Sequence, residues 1–179
     1  GGVREAGEID RVAAYLERSV GPVKELGDIL ASLGATLNEI PSIWPIKGGH
    51  GVVTMHYGQN ENPIYGSWYM HKGIDIATFR QGDPIVATAD GKVVTVAYES
   101  GYGNYVVIEH AHGYLTRYAH MKASRVQKGQ AVRQGDVIGY VGNTGLSTGP
   151  HLHYEVQLGT DTVDPYKFIK NRSTGSLTP

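Results

Sequence analysis

Histidines and carboxylates fall in three short stretches whose spacing suits the binding of a divalent ion. In Met70-His71-Lys72-Gly73-Ile74-Asp75-Ile76 a histidine and an aspartate stand four apart, which places them on one face of a helix or a strand. Gly73 and the flanking isoleucines favour a strand, with Gly73 between the two and room beside it for an ion and its water. A neutral imidazole nitrogen and a carboxylate oxygen are donors that Zn2+ accepts. In Gly149-Pro150-His151-Leu152-His153-Tyr154-Glu155, a strand sends His151 and His153 to one face, about 7 Å apart, and Leu152, Tyr154 and Val156 to the core. The glycine-rich run Gly142–Pro150 fixes where that strand begins. In Tyr114-Leu115-Thr116-Arg117-Tyr118-Ala119-His120, alternation puts His120 on the face of Tyr118 and Thr116.

Each stretch alone has an ordinary reading: solvated surface residues, a polar strand face, one structural histidine. Together, His71, Asp75, His120, His151 and His153 supply the three protein ligands of a catalytic zinc and two imidazoles to spare. Hydrolysis at such a centre needs a base for water and a donor for the oxyanion, roles that imidazoles fill. Glu155 faces the side of His153 and reads equally as a partner for its ring or as an exposed strand carboxylate. His110 and His112 fall at a hairpin turn, where exposed polar residues are ordinary. His50 and His56 lie ahead of the first motif and are not expected to be ligands.

Strands must position these residues. Ile85–Ala89, Lys92–Tyr98, Asn104–Glu109, Tyr114–His120, Val137–Val141 and Leu152–Leu158 are short β-branched or aromatic runs bounded by Gly, Asp, Asn or Pro. They predict a mainly β fold, a sandwich or sheet stack joined by hairpins rather than crossover helices. Gly82-Asp83-Pro84-Ile85-Val86 resembles Gly135-Asp136-Val137-Ile138-Gly139, the trace of a duplicated unit. Residues 1–40 differ: Ile9, Val12, Leu16, Val20, Val23, Leu26, Leu30, Leu33 and Leu37 recur at steps of three or four, a helical, coiled-coil-like seam. Gly21-Pro22 interrupts it. The expected organisation is a helical segment over 1–40, a linker over 41–47, a catalytic domain over 48–170 and a flexible tail over 171–179.

Composition excludes several function classes. Sixteen Lys plus Arg against seventeen Asp plus Glu give a net charge of −1, unlike a strongly basic nucleic-acid or anionic-membrane binder. No apolar run approaches the roughly 18 residues of a membrane-spanning helix. Cysteine is absent, which removes disulfides, thiolate zinc sites and cysteine nucleophiles. The start at Gly1-Gly2, without Met or leader, reads as that of a trimmed chain, with an export or anchor segment expected upstream.

The three motifs, in this order and spacing, resemble the signatures of the lysostaphin-type zinc metallopeptidases. Gly91-Lys92-Val93, Lys128-Gly129, Gly135-Asp136 and Val163-Asp164-Pro165 extend the resemblance, which runs from about Gly48 to Ile169. It implies an endopeptidase that hydrolyses peptide bonds in peptidoglycan stem peptides or cross-bridges, acting in the bacterial cell envelope, in the periplasm or outside the cell. It also implies an antiparallel sheet with a duplicated half-barrel (duplicated hybrid) motif; the helical segment before it lies outside the resemblance. One Zn2+ per chain would be held by His71, Asp75 and His153, with His120 and His151 as the non-ligand catalytic pair. Periodicity alone does not divide His151 from His153; that division comes from the family. Asn60 stands where an arginine is common, and Met121 and Tyr154 replace the more usual Leu and Phe, mild apolar exchanges.

Rival readings weigh less. A non-catalytic cell-wall-binding or hydrolase-activating protein of the same fold needs no complete site, whereas all five positions are filled here. A histidine phosphocarrier leaves the His71–Asp75 pair unexplained. A non-haem iron oxygenase with two histidines and one carboxylate gives His120 and His151 nothing to do.

Overall fold

The computed structural model describes residues 37–61 and 66–169, with 29, 32 and 34 besides. The chain divides into two units, Gly1–Thr36 and Leu37–Pro179, and the β structure belongs to the second. Helical backbone is described at 29, 32, 34 and 37–39; the rest of the helical expectation and the tail over 171–179 lie outside the described residues.

Twelve strands follow in the described residues: β1 (Val52–Met55), β2 (Gly58–Glu61), β3 (Trp68–His71), β4 (Ile74–Ala77), β5 (Pro84–Val86), β6 (Gly91–Glu99), β7 (Gly103–His110), β8 (Tyr114–Ser124), β9 (Ala131–Val132), β10 (Val137–Val141), β11 (His151–Leu158) and β12 (Asp161–Val163). A helical turn, Tyr166–Ile169, closes them. The main sheet runs β1-β4-β11-β8-β7-β6-β9; β10 pairs with β8 and β5, β12 lies beside β11, and β2 and β3 form a separate two-stranded ribbon. The pairings are antiparallel. The fold is therefore mainly β, as the β-branched and aromatic runs predict, with ten strands in one sheet instead of a sandwich. The two similar Gly-Asp segments meet, with Val137 opposite Val86 and Tyr140 opposite Pro84.

Strand β11 sits between β4 and β8, and its alternation sorts the two faces. Leu152, Tyr154 and Val156 are fully buried, packed with Ile74, Ile76, Val106, Ile108, Tyr118, Met121 and Ile138. Each such aliphatic side chain contributes roughly 1.5–3 kcal/mol, so the register of β11 is held by its core face. That register in turn aims His151, His153 and Glu155 the other way.

Two core positions differ from expectation. Tyr154 is not a plain apolar exchange: its hydroxyl meets Thr88 Oγ1 at 2.9 Å, and Thr88 Oγ1 also meets the Tyr118 hydroxyl at 2.9 Å. Thr116 Oγ1 lies 3.1 Å from the Tyr118 hydroxyl and 2.7 Å from His110 Nε2, and His110 Nδ1 donates to the Asp90 carbonyl at 2.8 Å. His110 is thus buried at the end of a hydroxyl chain, not exposed at a turn, because β7 continues through it and pairs it with Gly91. A buried hydroxyl needs such a partner. His112 does stand at the exposed turn, 3.0 Å from Glu39.

Residues 41–47 also carry more than prolines. Pro41, Pro45 and Ile46 are buried, Ser42 N donates to the Thr88 carbonyl (3.1 Å), Val86 N donates to the Pro45 carbonyl (2.9 Å), and Ile46 bridges Ile85. The stretch read as a linker is strapped to β5. A linker has no need of Ile43, Trp44 and Ile46; the strap buries Ile46 and half-buries the other two.

Candidate metal centre

His71 and Asp75 do not share one strand, as their spacing suggests. The chain leaves the ribbon at His71, turns through Lys72-Gly73, and enters the main sheet at Ile74. Gly73 lies hard against the Tyr154 carbonyl, where a Cβ has no room. The turn brings His71 over β11 from the ribbon, while Asp75 stands beside His153 within the sheet.

The donors converge. His153 Nδ1 lies 2.8 Å from Asp75 Oδ1, His71 Nε2 lies 3.2 Å from the same oxygen, and the two nitrogens are 3.0 Å apart. Their proton states follow from the far side of each ring. His71 Nδ1 faces the His56 carbonyl at 3.0 Å, which can only accept, so Nδ1 carries the proton. His153 Nε2 faces Glu155 Oε1 at 3.1 Å, and that carboxylate accepts too. Two lone pairs and a carboxylate oxygen thus point at one another, an arrangement that requires a cation between them. Without a metal a proton takes that place. Burial opposes charge on His153, but the hydrogen bonds to Asp75 and Glu155 outweigh it and hold its pKa up to about 8. Burial likewise pushes Asp75 up, yet hydrogen bonds from His153 and His71 bring its carboxyl well below the usual range. Two imidazole nitrogens and a carboxylate oxygen, each imidazole anchored through its other nitrogen, fit zinc. Among the described residues, this is the group of three histidine and acidic side chains whose donor atoms gather within 4.8 Å.

The other two histidines stand alongside. His151 Nδ1 donates to the Gly149 carbonyl (2.8 Å), leaving Nε2 3.8 Å from Asp75 Oδ1. His120 Nδ1 donates to the Thr144 carbonyl (2.8 Å), so its Nε2 is the unprotonated nitrogen. The His120 and His151 rings are centred 4.6 Å apart, and His120 and His153 5.9 Å. His120 reaches this face against its alternation. Tyr118 and Thr116 are buried on the core side, and a left-handed backbone at His120, φ +58°, turns its ring over to join His153. A histidine in that conformation is uncommon and marks a constrained position. Burial lowers its pKa to about 4, against the smaller opposing pull of Thr144.

Behind His153 lies a group the sequence left undecided. Glu155 is fully buried, and it accepts from Tyr102 (2.6 Å) as well as His153 on Oε1, and from Arg117 (3.0 Å) and Gln157 (3.3 Å) on Oε2. The Arg117 guanidinium also stacks 4.4 Å above the Tyr102 ring. Burial raises Glu155, but the His153 and Tyr102 hydrogen bonds and Arg117 hold its pKa below the ordinary value. Burial and Glu155 push Tyr102 up to about 12. Tyr102 escaped the sequence reading; the cross-strand register Arg117↔Glu155 is the signal that leads to it. His50 instead pairs with Asp83 (3.1 Å). His56 contributes its carbonyl, which also accepts from Asn60 Nδ2 at 3.0 Å.

Two histidines and one carboxylate that converge on one point, with two further imidazoles beside them, form a candidate metal centre. Residues 69–165 match the model of Peptidase family M23, and the chain belongs to that family. It is 49% identical over 147 residues to a peptidoglycan DD-endopeptidase, ShyA, of Vibrio cholerae, a match covering 81% of this chain and 32% of that protein. A zinc-containing peptidase from Vibrio cholerae aligns with TM-score 0.65 and 39% identity over 69% of this chain and 38% of that one. The catalytic domain of lysostaphin from Staphylococcus simulans aligns with TM-score 0.62 and 31% identity, covering 67% and 92%. The match spans about three tenths of the length of a 44%-identical DD-carboxypeptidase/endopeptidase, Mpg, of Neisseria meningitidis. The lysostaphin-type resemblance is borne out, and zinc is the metal of this family.

Proposed function

We propose that the chain is a zinc-dependent endopeptidase that cleaves peptide bonds in bacterial peptidoglycan, in the envelope or outside the cell. The observation that carries this reading is the convergence of three electron-pair donors on a point where only a cation can sit, with two unprotonated imidazole nitrogens beside it. The DD-endopeptidase relatives support peptidoglycan as the substrate. His71, Asp75 and His153 are assigned as ligands. Zinc held there would polarise the scissile carbonyl and lower the pKa of a bound water towards ~7.

His120 and His151 are assigned to proton transfer. With a pKa near 4, His120 is neutral at working pH, and Nε2 is available as an acceptor for the proton of the attacking water. His151, tied through Nδ1 to Gly149, offers Nε2 on the Asp75 side, where it would take up or return a proton at the leaving amine or donate to the oxyanion. Glu155, Tyr102 and Arg117 hold the tautomer of His153. The antiparallel pairing of the two Gly-Asp segments supports a duplicated half-barrel, and residues 48–170, with the strap over 41–47 fastened to them, are assigned as the catalytic domain.

The test is digestion of purified sacculi by the full chain, with mass analysis of the released muropeptides. New amino termini within stem peptides or cross-bridges are expected, lost on chelation and restored by zinc. Zinc-loaded protein that binds sacculi without releasing fragments would favour the non-catalytic alternative.

A further inference from the structure

On the Asp75–His151 side of the metal centre lies an open cleft of about 450 Å3. Asp75 and His151 border it, and Met55, Ala77, Pro150 and Phe79 contribute its apolar walls. Phe79 is the unusual member. Its backbone is left-handed, φ +60°, which is strained for a bulky residue. Its side chain is also 77% exposed, so burial does not offset that strain.

Its neighbours keep it there. Thr78 Oγ1 donates to the Arg80 carbonyl (2.8 Å), Arg80 Nε donates to Asp83 Oδ1 (2.9 Å), and Gly82 N donates to the Val141 carbonyl (2.8 Å). Three clamps thus hold an aromatic ring in water at the lip of a cleft that opens on the reacting centre. Strain of this kind persists where function uses it.

We infer that the cleft is a substrate subsite and that Phe79 is a specificity-determining residue, its ring covering a small uncharged side chain next to the cleaved bond. This rests on the endopeptidase reading above. Thr54 and Thr148 add two hydroxyls to the lining, but it contains no lysine or arginine, and its one carboxylate, Asp75, is turned towards His71 and His153. A charged residue entering the cleft would lose water without an opposite charge to offset the loss. An apolar one removes its own surface and that of Phe79 from water together.

The test compares full-length, zinc-loaded protein with Phe79→Ala, Phe79→Gly and Phe79→Tyr. Substrates are sacculi and synthetic stem peptides carrying Ala or Asp beside the cleaved bond. Phe79→Ala is expected to raise KM for the Ala peptide about five- to tenfold, with kcat little changed, and to narrow the preference for Ala over Asp. Phe79→Tyr keeps the wild-type values. Phe79→Gly relieves the left-handed backbone, so it loses the same KM while Tm holds or rises. Unchanged KM in both the Ala and Gly variants overturns the subsite, as does a joint fall in Tm and zinc content. Wild-type protein that cuts neither sacculi nor peptides overturns the endopeptidase reading and the subsite with it.

Discussion

Each imidazole at the centre has one ring nitrogen tied to an acceptor that cannot donate: the His56, Thr144 and Gly149 carbonyls and the Glu155 carboxylate. The opposite nitrogen therefore faces the site, where it can take a metal or a proton. Loss of a ring then has two expected outcomes. His71→Ala, Asp75→Ala or His153→Ala should lose zinc and activity together. His120→Ala or His151→Ala should keep zinc while turnover falls by about 10²-fold or more. Metal content measured beside turnover for all five variants checks this division; loss of zinc in His151→Ala would exchange the roles within His151-Leu152-His153.

The proton on His153 competes with the metal. Its folded pKa, about 8, lies above the unfolded value of about 6.5, so it stabilises metal-free protein below pH 6.5, and that stability is lost as pH rises through 8. Zinc displaces the same proton, so its affinity should climb about tenfold per pH unit up to 8 and then level. Chelated protein should thus unfold more easily at pH 8.5 than at 6.5 while zinc binds more tightly, a pair of opposite slopes that denaturation and metal titration read separately.

Elements explain which residues were legible from the sequence and which were not. The His151/His153 and Leu152/Tyr154/Val156 alternation was readable because β11 is a regular strand held by its core face. His71 with Asp75 was readable as a pair but not as a geometry, since a turn at Lys72-Gly73 separates two sheets. His120 was misplaced by alternation because one left-handed residue reverses it. Tyr102 could not be found from spacing, as it meets Glu155 across 53 positions. The His120 and His151 anchors, the Thr144 and Gly149 carbonyls, lie on either side of the loop between β10 and β11. Gly103, at φ +64°, lies directly against Thr144, where a Cβ would collide with the main chain. Gly103→Ala should therefore shift that loop and cost about tenfold or more in turnover while zinc stays bound. Kinetics with metal analysis and near-ultraviolet circular dichroism would show whether the loss is local.

At the scale of the whole chain, composition told the class, but the domain edge is chemical rather than compositional. Asp90 N donates to the Asn38 carbonyl at 2.7 Å, and Gln134 Nε2 donates to the Leu37 carbonyl, Ser42 Oγ and the Thr88 carbonyl. Proline content suggests a linker over 41–47, yet Ser42, Pro45 and Ile46 there are fastened to Thr88, Val86 and Ile85. A chain starting at Leu37 should unfold cooperatively and bind zinc. One starting at Gly48 lacks Ile46 and the acceptors at Leu37, Asn38 and Ser42, so its Tm should fall, by about 2–8 °C for each kcal/mol lost. Thermal melts of the two truncations settle where the domain begins.

The ribbon of β2 and β3 and the main sheet meet at His71, Asp75 and His153. A metal held by that trio is consequently also a rivet between two sheets, whatever chemistry it performs. The ribbon shows exposed Trp68 and Met70 and has little core of its own, so much of its attachment passes through the rivet. Withdrawing the ion should loosen one flap of the molecule and leave the rest tight. Hydrogen exchange before and after chelation should speed up over 58–61 and 68–71, with amides of β7, β8 and β11 nearly unchanged. In such a design the ion that serves the site would also be the fastener that keeps the ribbon on the sheet.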